Sequence, residues 1–71
     1  MQVHIGNLIR DEVRRQGRTN AWLAEKIGVT TRTLQRIYNH SSIDTQQLLL
    51  ICRVLNKDFF EYYSSMTHIV T

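Results

Sequence analysis

The chain has 71 residues, 42% of them apolar, with a net charge of +3, no proline, three glycines and one cysteine. That length excludes two domains, and because so short a chain removes only about 60% of its unfolded surface from water, it needs an efficient core or a partner. A lone Cys52 excludes an intrachain disulfide, no apolar run approaches the roughly 18 residues of a membrane span, and the start Met1-Gln2-Val3-His4 lacks a signal-peptide pattern, so the expectation is a soluble, cytoplasmic protein.

Few turn-forming residues predict an all-α chain, a five-helix bundle. Ile5, Leu8, Ile9 and Val13 fall at helical spacing opposite Arg10, Asp11, Arg14 and Arg15, which predicts an amphipathic helix over about residues 3–16, ended by a left-handed Gly17. Thr19 N-caps a second, two-turn helix carrying Ala21, Leu23, Ala24 and Ile27, and Gly28 stops it. Thr30 caps a third helix, about 31–39, whose apolar face is Leu34, Ile37 and Tyr38. After a polar loop near Asn39–Ser42, Asp44 with Gln47 opens a fourth helix that runs to about Leu55. Its core stripe is Leu48, Ile51, Cys52 and Leu55; Leu49, Leu50 and Val54 form a second stripe, read as a surface for self-association. Asp58 and Glu61 have the spacing of a capping pair that opens a fifth helix with Phe59, Phe60, Tyr62 and Tyr63, an aromatic group read as core plus dimer contact. Ser64 and Ser65 end it, so the domain spans residues 1–65. The alternating tail, 66–71, reads as a short strand pairing with its symmetry mate, a segment docked on the fifth helix, or a frayed end.

Charge is uneven along the chain. From Arg10 to Arg36 there are seven basic residues and three acids, a local +4, while the remainder sums to −1, so an anionic partner meets the first half. Within that half, Ala24, Gly28 and Leu34 are the small residue, the turn glycine and the apolar anchor that two short helices need to cross closely. The face left over on the third helix, Thr31, Arg32, Gln35 and Arg36, contains no acid.

This block, Thr19-Asn20-Ala21-Trp22-Leu23-Ala24-Glu25-Lys26-Ile27-Gly28-Val29-Thr30-Thr31-Arg32-Thr33-Leu34-Gln35-Arg36-Ile37, resembles the helix-turn-helix regulators of the lambda-repressor-like class, the Cro/XRE family. The likeness continues through Leu48 to Phe60 and covers about residues 3–63. It implies a transcriptional regulator, such as a repressor, whose third helix enters the major groove of double-stranded DNA, usually as a homodimer on a pseudo-palindromic operator. Arg32 and Arg36, four apart, suit bidentate donation to guanine; Gln35 suits adenine, and the Thr31 methyl a thymine methyl. Asn20, Thr30 and Asn39 match positions that hold backbone phosphates, and Arg18, beside the second helix's start, is the best placed of the remaining arginines. The resemblance implies no cofactor, metal, membrane or small-molecule substrate.

Departures from the family pattern are also visible. The positions matching an arginine in helix one and a glutamate ending the third helix are read as Val13 and Tyr38, an apolar pair in place of an ion pair. His40 and Ile43 stand where the family has glycine and proline, and His40 reads as a solvated loop residue before a phosphate ligand. Arg10, Arg14 and Arg15 read first as a solvated helix face, and Trp22 as partly buried with no functional role.

Enzyme readings lack support: His4, His40, His68 and Cys52 fall at no metal-ligand spacing, and no catalytic triad, paired carboxylates or glycine-rich phosphate loop is present. The serious rival is a protein-binding adaptor, such as an antitoxin or anti-regulator, using the same fold. RNA is a weaker partner, because an A-form major groove is too narrow for a helix.

Overall fold

Local chemistry sets where each helix starts and stops. In a computed structural model, which describes residues 3–67, the helices are α1 (Ile5–Arg15), α2 (Asn20–Ile27), α3 (Thr31–Asn39), α4 (Thr45–Leu55) and α5 (Phe60–Ser64), with no strand among the described residues. No helix among those residues is long and apolar enough to cross a membrane.

α1 is shorter than its hydrophobic spacing predicts. The His4 ring caps it, Nδ1 accepting the Asn7 N–H at 3.1 Å, so the first helical residue is Ile5 rather than residue 3. At the other end Gly17 adopts φ +70°, and Arg18 N–H closes on the Val13 carbonyl at 3.0 Å. Thr19 Oγ1 then accepts the Trp22 N–H at 3.0 Å and starts α2, which Gly28 ends at φ +74°. Thr30 Oγ1 accepts the Thr33 N–H at 3.1 Å. Only Gly28, Val29 and Thr30 separate α2 from α3.

α4 begins at the Asp44 cap, whose Oδ2 accepts the Gln47 N–H at 3.4 Å, and ends at Asn56 in the left-handed region, φ +52°. α5 departs from expectation. Asp58 does not cap it through Glu61: Phe59 is the N-cap residue and makes no side-chain cap bond, while Asp58 Oδ1 accepts the Phe60 N–H two residues on at 3.0 Å. Glu61 instead faces Lys57, one turn back, at 3.5 Å.

The core collects Ile5, Ile9 and Val13 from α1, Leu23, Ala24 and Ile27 from α2, Leu34 and Tyr38 from α3, Leu48, Ile51 and Leu55 from α4, and Phe59. Each large apolar side chain fully buried there contributes about 1.5–3 kcal/mol. Cys52 is only half-buried, packed against this core, and its Sγ accepts the Phe59 N–H at 3.4 Å. The second stripe of α4 divides: Val54 packs against the core, whereas Leu49 and Leu50 stay 44% and 40% exposed. Phe60, Tyr62 and Tyr63 lie half-buried against this core, the Tyr62 ring 6.3 Å from that of Phe59 between centroids.

Two polar joints fix α1. Its first turn abuts the carbonyl end of α3, with Ile5 N–H donating to Ser41 O at 3.2 Å and Gly6 N–H to His40 O at 3.1 Å. A Cβ on Gly6 would overlap the carbonyl oxygens of Ile37, Tyr38 and His40, so this approach requires glycine. At its other end the buried Glu12 accepts from Arg15 Nε at 2.9 Å and from Gln16 Nε2 at 2.7 Å, and Gln16 Nε2 also donates to Leu55 O at 2.7 Å. One buried carboxylate therefore holds the amide that satisfies a terminal carbonyl of α4. Hydrogen bonds from Arg15, then from Gln16, together with the nearby cations, hold the Glu12 carboxyl down at about 2 against its burial.

The tail is not extended where it is described. Met66 and Thr67 both donate their N–H groups to Tyr63 O, at 3.0 and 3.1 Å, and continue the turn after α5. The rest of the strand expected over 66–71, His68 to Thr71, lies outside the described residues.

Candidate nucleic-acid interface

α3 is amphipathic because Leu34 and Tyr38 recur at helical spacing, and burying them turns the opposite side outward. Thr31, Arg32, Gln35, Arg36 and Asn39 are all exposed, and no acidic residue occurs in the helix. Among the described residues neither Arg32 nor Arg36 enters an ion pair, although they lie one turn apart. The four side chains expected to read bases thus share one uncovered surface. Nine residues give α3 a length of roughly 13 Å, close to the width of about 12 Å of a B-DNA major groove.

Arg18 and Asn20 flank the start of α2. The Arg18 guanidinium lies over the Trp22 ring, 4.3 Å from its centroid, so a long and otherwise free side chain is laid along an aromatic face. Trp22, half-buried and given no role by the sequence, acts here as the arginine's support. Sequence spacing gave no signal for this contact, because Arg18 precedes the Thr19 cap and lies outside α2.

Asn20 Oδ1 accepts the Tyr38 hydroxyl at 3.0 Å. Tyr38 and Val13 both lie in the core, as the pattern suggested, and the Tyr38 hydroxyl adds a polar bond that the pattern did not predict. Val13 is core, 1% exposed, and the α1 charges that act on the Tyr38 hydroxyl are those of Arg10 and Arg14. Burial pushes the Tyr38 pKa up, against those two cations. The Arg10 Nε is itself buried without a hydrogen-bond partner, its Asp11 neighbour lying at 3.9 Å. Arg10 and Arg14 thus belong to the same side of the molecule as Asn20. Arg15 is held by Glu12.

Thr30 and Asn39 bracket α3. The Thr30 hydroxyl both accepts the Thr33 N–H and donates to Thr33 Oγ1 at 3.1 Å, so its proton must turn away from Thr33 before it can meet a phosphate. Asn39 is exposed at the last helical position. His40, next in sequence, is exposed but not merely solvated: its Nδ1 bonds the Arg36 carbonyl at 2.7 Å and closes the end of α3, and since a carbonyl only accepts, that nitrogen carries the proton.

Among the described residues no three His, Cys, Asp or Glu side chains converge as a metal site. The chain matches no family model, and neither a curated protein nor a solved structure matches it.

Proposed function

We propose that the chain binds double-stranded DNA sequence-specifically, as a homodimeric transcriptional regulator of the helix-turn-helix type that occupies an operator. The observation that carries this reading is the exposed, acid-free face of α3, with two arginines, unpaired among the described residues, one turn apart beside a glutamine and a threonine. Laid in the major groove, Arg32 and Arg36 each donate twice to guanine O6 and N7, Gln35 pairs with adenine, and the Thr31 methyl packs on a thymine methyl. Arg18, Asn20, Thr30 and Asn39 hold the phosphates on either side, fixing register without reading sequence. Arg10 and Arg14 add positive potential along the same flank.

Association of two copies is assigned to α4 and α5, where Leu49 and Leu50 stand exposed near Phe60. Two-fold symmetry then presents two copies of α3 to inverted half-sites.

Fluorescence anisotropy with labelled duplexes tests the class of partner. The expected result is affinity for duplex DNA that falls linearly on a log–log plot against salt, far above the affinity for an RNA duplex of the same sequence. Salt-insensitive or absent DNA binding by the folded protein would remove the proposal and favour the adaptor reading.

A further inference from the structure

Tyr38 belongs to the core and to the interface at once. Its ring is 1% exposed among the side chains of the bundle, while its hydroxyl reaches Asn20 Oδ1, joining the last turn of α3 to the first residue of α2 across 18 positions of sequence. A side-chain amide is planar, so a donor that holds its oxygen also fixes the direction of its Nδ2. Asn20 is exposed, and no hydrogen bond among the described residues occupies that nitrogen.

Phosphate oxygens only accept. An untethered asparagine at this site turns its oxygen or its nitrogen outward, and the oxygen-out arrangement repels a phosphate. Bonding the oxygen to a buried donor leaves two N–H groups as the exposed end, beside the first amides of α2, which precede any intrahelical bond. A phenol is protonated at neutral pH, and burial raises the Tyr38 pKa further.

We infer that Tyr38 is a positioning residue for the DNA backbone contact, its hydroxyl holding Asn20 Oδ1 so that the Asn20 Nδ2 hydrogens point at a phosphate seated across the start of α2. The inference rests on the DNA reading. It also ties the two helices together functionally, since the α2 contact is aimed from the end of the helix that carries the base-reading face.

The test is a double-mutant cycle on affinity, using the duplex best bound by the wild type and a scrambled duplex. Tyr38→Phe removes one oxygen and keeps the packed ring. It is expected to weaken both duplexes by a similar factor, about three- to tenfold, the scale of losing one pre-ordered side chain. Asn20→Ala is expected to lose at least as much, and the double variant no more than Asn20→Ala alone. A hydroxyl with a purely structural role would lower the thermal midpoint yet cost the same factor in both backgrounds, which would overturn the inference, as would a Tyr38→Phe protein with wild-type affinity. Asn20→Asp provides a second arm that leaves Tyr38 untouched: the carboxylate still accepts from the hydroxyl but has no N–H to give, so binding is expected to fall at least as far as in Asn20→Ala, and wild-type affinity there would also overturn the inference. A wild-type chain that bound neither duplex would instead remove the DNA reading itself, and the inference with it.

Discussion

Arg32 and Arg36 are exposed, unpaired among the described residues and one turn apart, so each is free to spend its planar donor fork on a base edge. Arg32→Ala and Arg36→Ala are each expected to cost about 1–3 kcal/mol of binding and to relax preference at one base pair, whereas Asn20→Ala weakens all duplexes alike; competition against single-substituted duplexes measures both effects. If both arginine variants kept wild-type preference, the assignment of α3 as the reading helix would be wrong. Glu12 makes a separate prediction for stability. Its folded-state pKa of about 2 lies below the ordinary value of 4.5, so the group's contribution is complete above about pH 4.5 and is lost as pH falls towards 2. Thermal melts of Glu12→Gln should start from a lower midpoint at pH 6 and fall less than the wild type between pH 4.5 and 2; parallel curves would show that the carboxylate is not the cause. The exposed face of α3 was legible because helical period alone decides it. The Glu12–Gln16–Leu55 and Tyr38–Asn20 joints were not, because they pair groups brought together by packing across 39 and 18 positions.

For whole elements, the same divide separates local from tertiary causes. Thr19, Thr30 and Asp44 each cap the backbone three residues on, a relation written in adjacent sequence, and these starts were read correctly. Asp58 has the same spacing to Glu61 and fails, because Asp58 takes the Phe60 N–H and Lys57 holds Glu61, leaving Phe59 to open α5 from within the core. His4 is the converse: a side chain outside the usual N-cap preference, recognisable only from the geometry it adopts, whereas Asn56 ends α4 in the left-handed region that asparagine tolerates. Gly6 had no sequence signal, since it sits inside a helix with no turn to explain it. Its reason is the close approach of α1 to the last carbonyls of α3. Gly6→Ala is expected to destabilise the fold by about 2–3 kcal/mol or more by overpacking against backbone that cannot yield, visible as a lower denaturation midpoint with unchanged slope. A neutral Gly6→Ala would mean that α1 can shift along α3 at little cost.

Across the whole molecule, basic residues concentrate from Arg10 to Arg36, and the exposed leucines lie on α4, outside that segment. The proposal uses these as two separate surfaces, one for phosphate and base edges and one for a second copy. Replacing Leu49 and Leu50 together with glutamate is therefore expected to shift the monomer–dimer equilibrium towards monomer in analytical ultracentrifugation and to lower affinity for a two-half-site duplex while sparing a single half-site. A double variant that remained dimeric would place self-association on another surface. The helix order and the charge asymmetry could be read from one chain, but the spacing of half-sites could not, because it depends on how two copies meet.

The most direct test of the central claim is sequencing of duplexes selected by the wild-type protein from a randomised pool at near-physiological salt. The proposal predicts enrichment of two inverted half-sites about one helical turn, roughly 34 Å, apart, with guanines at the positions that Arg32→Ala and Arg36→Ala relax. A folded protein that enriched no sequence would contradict it.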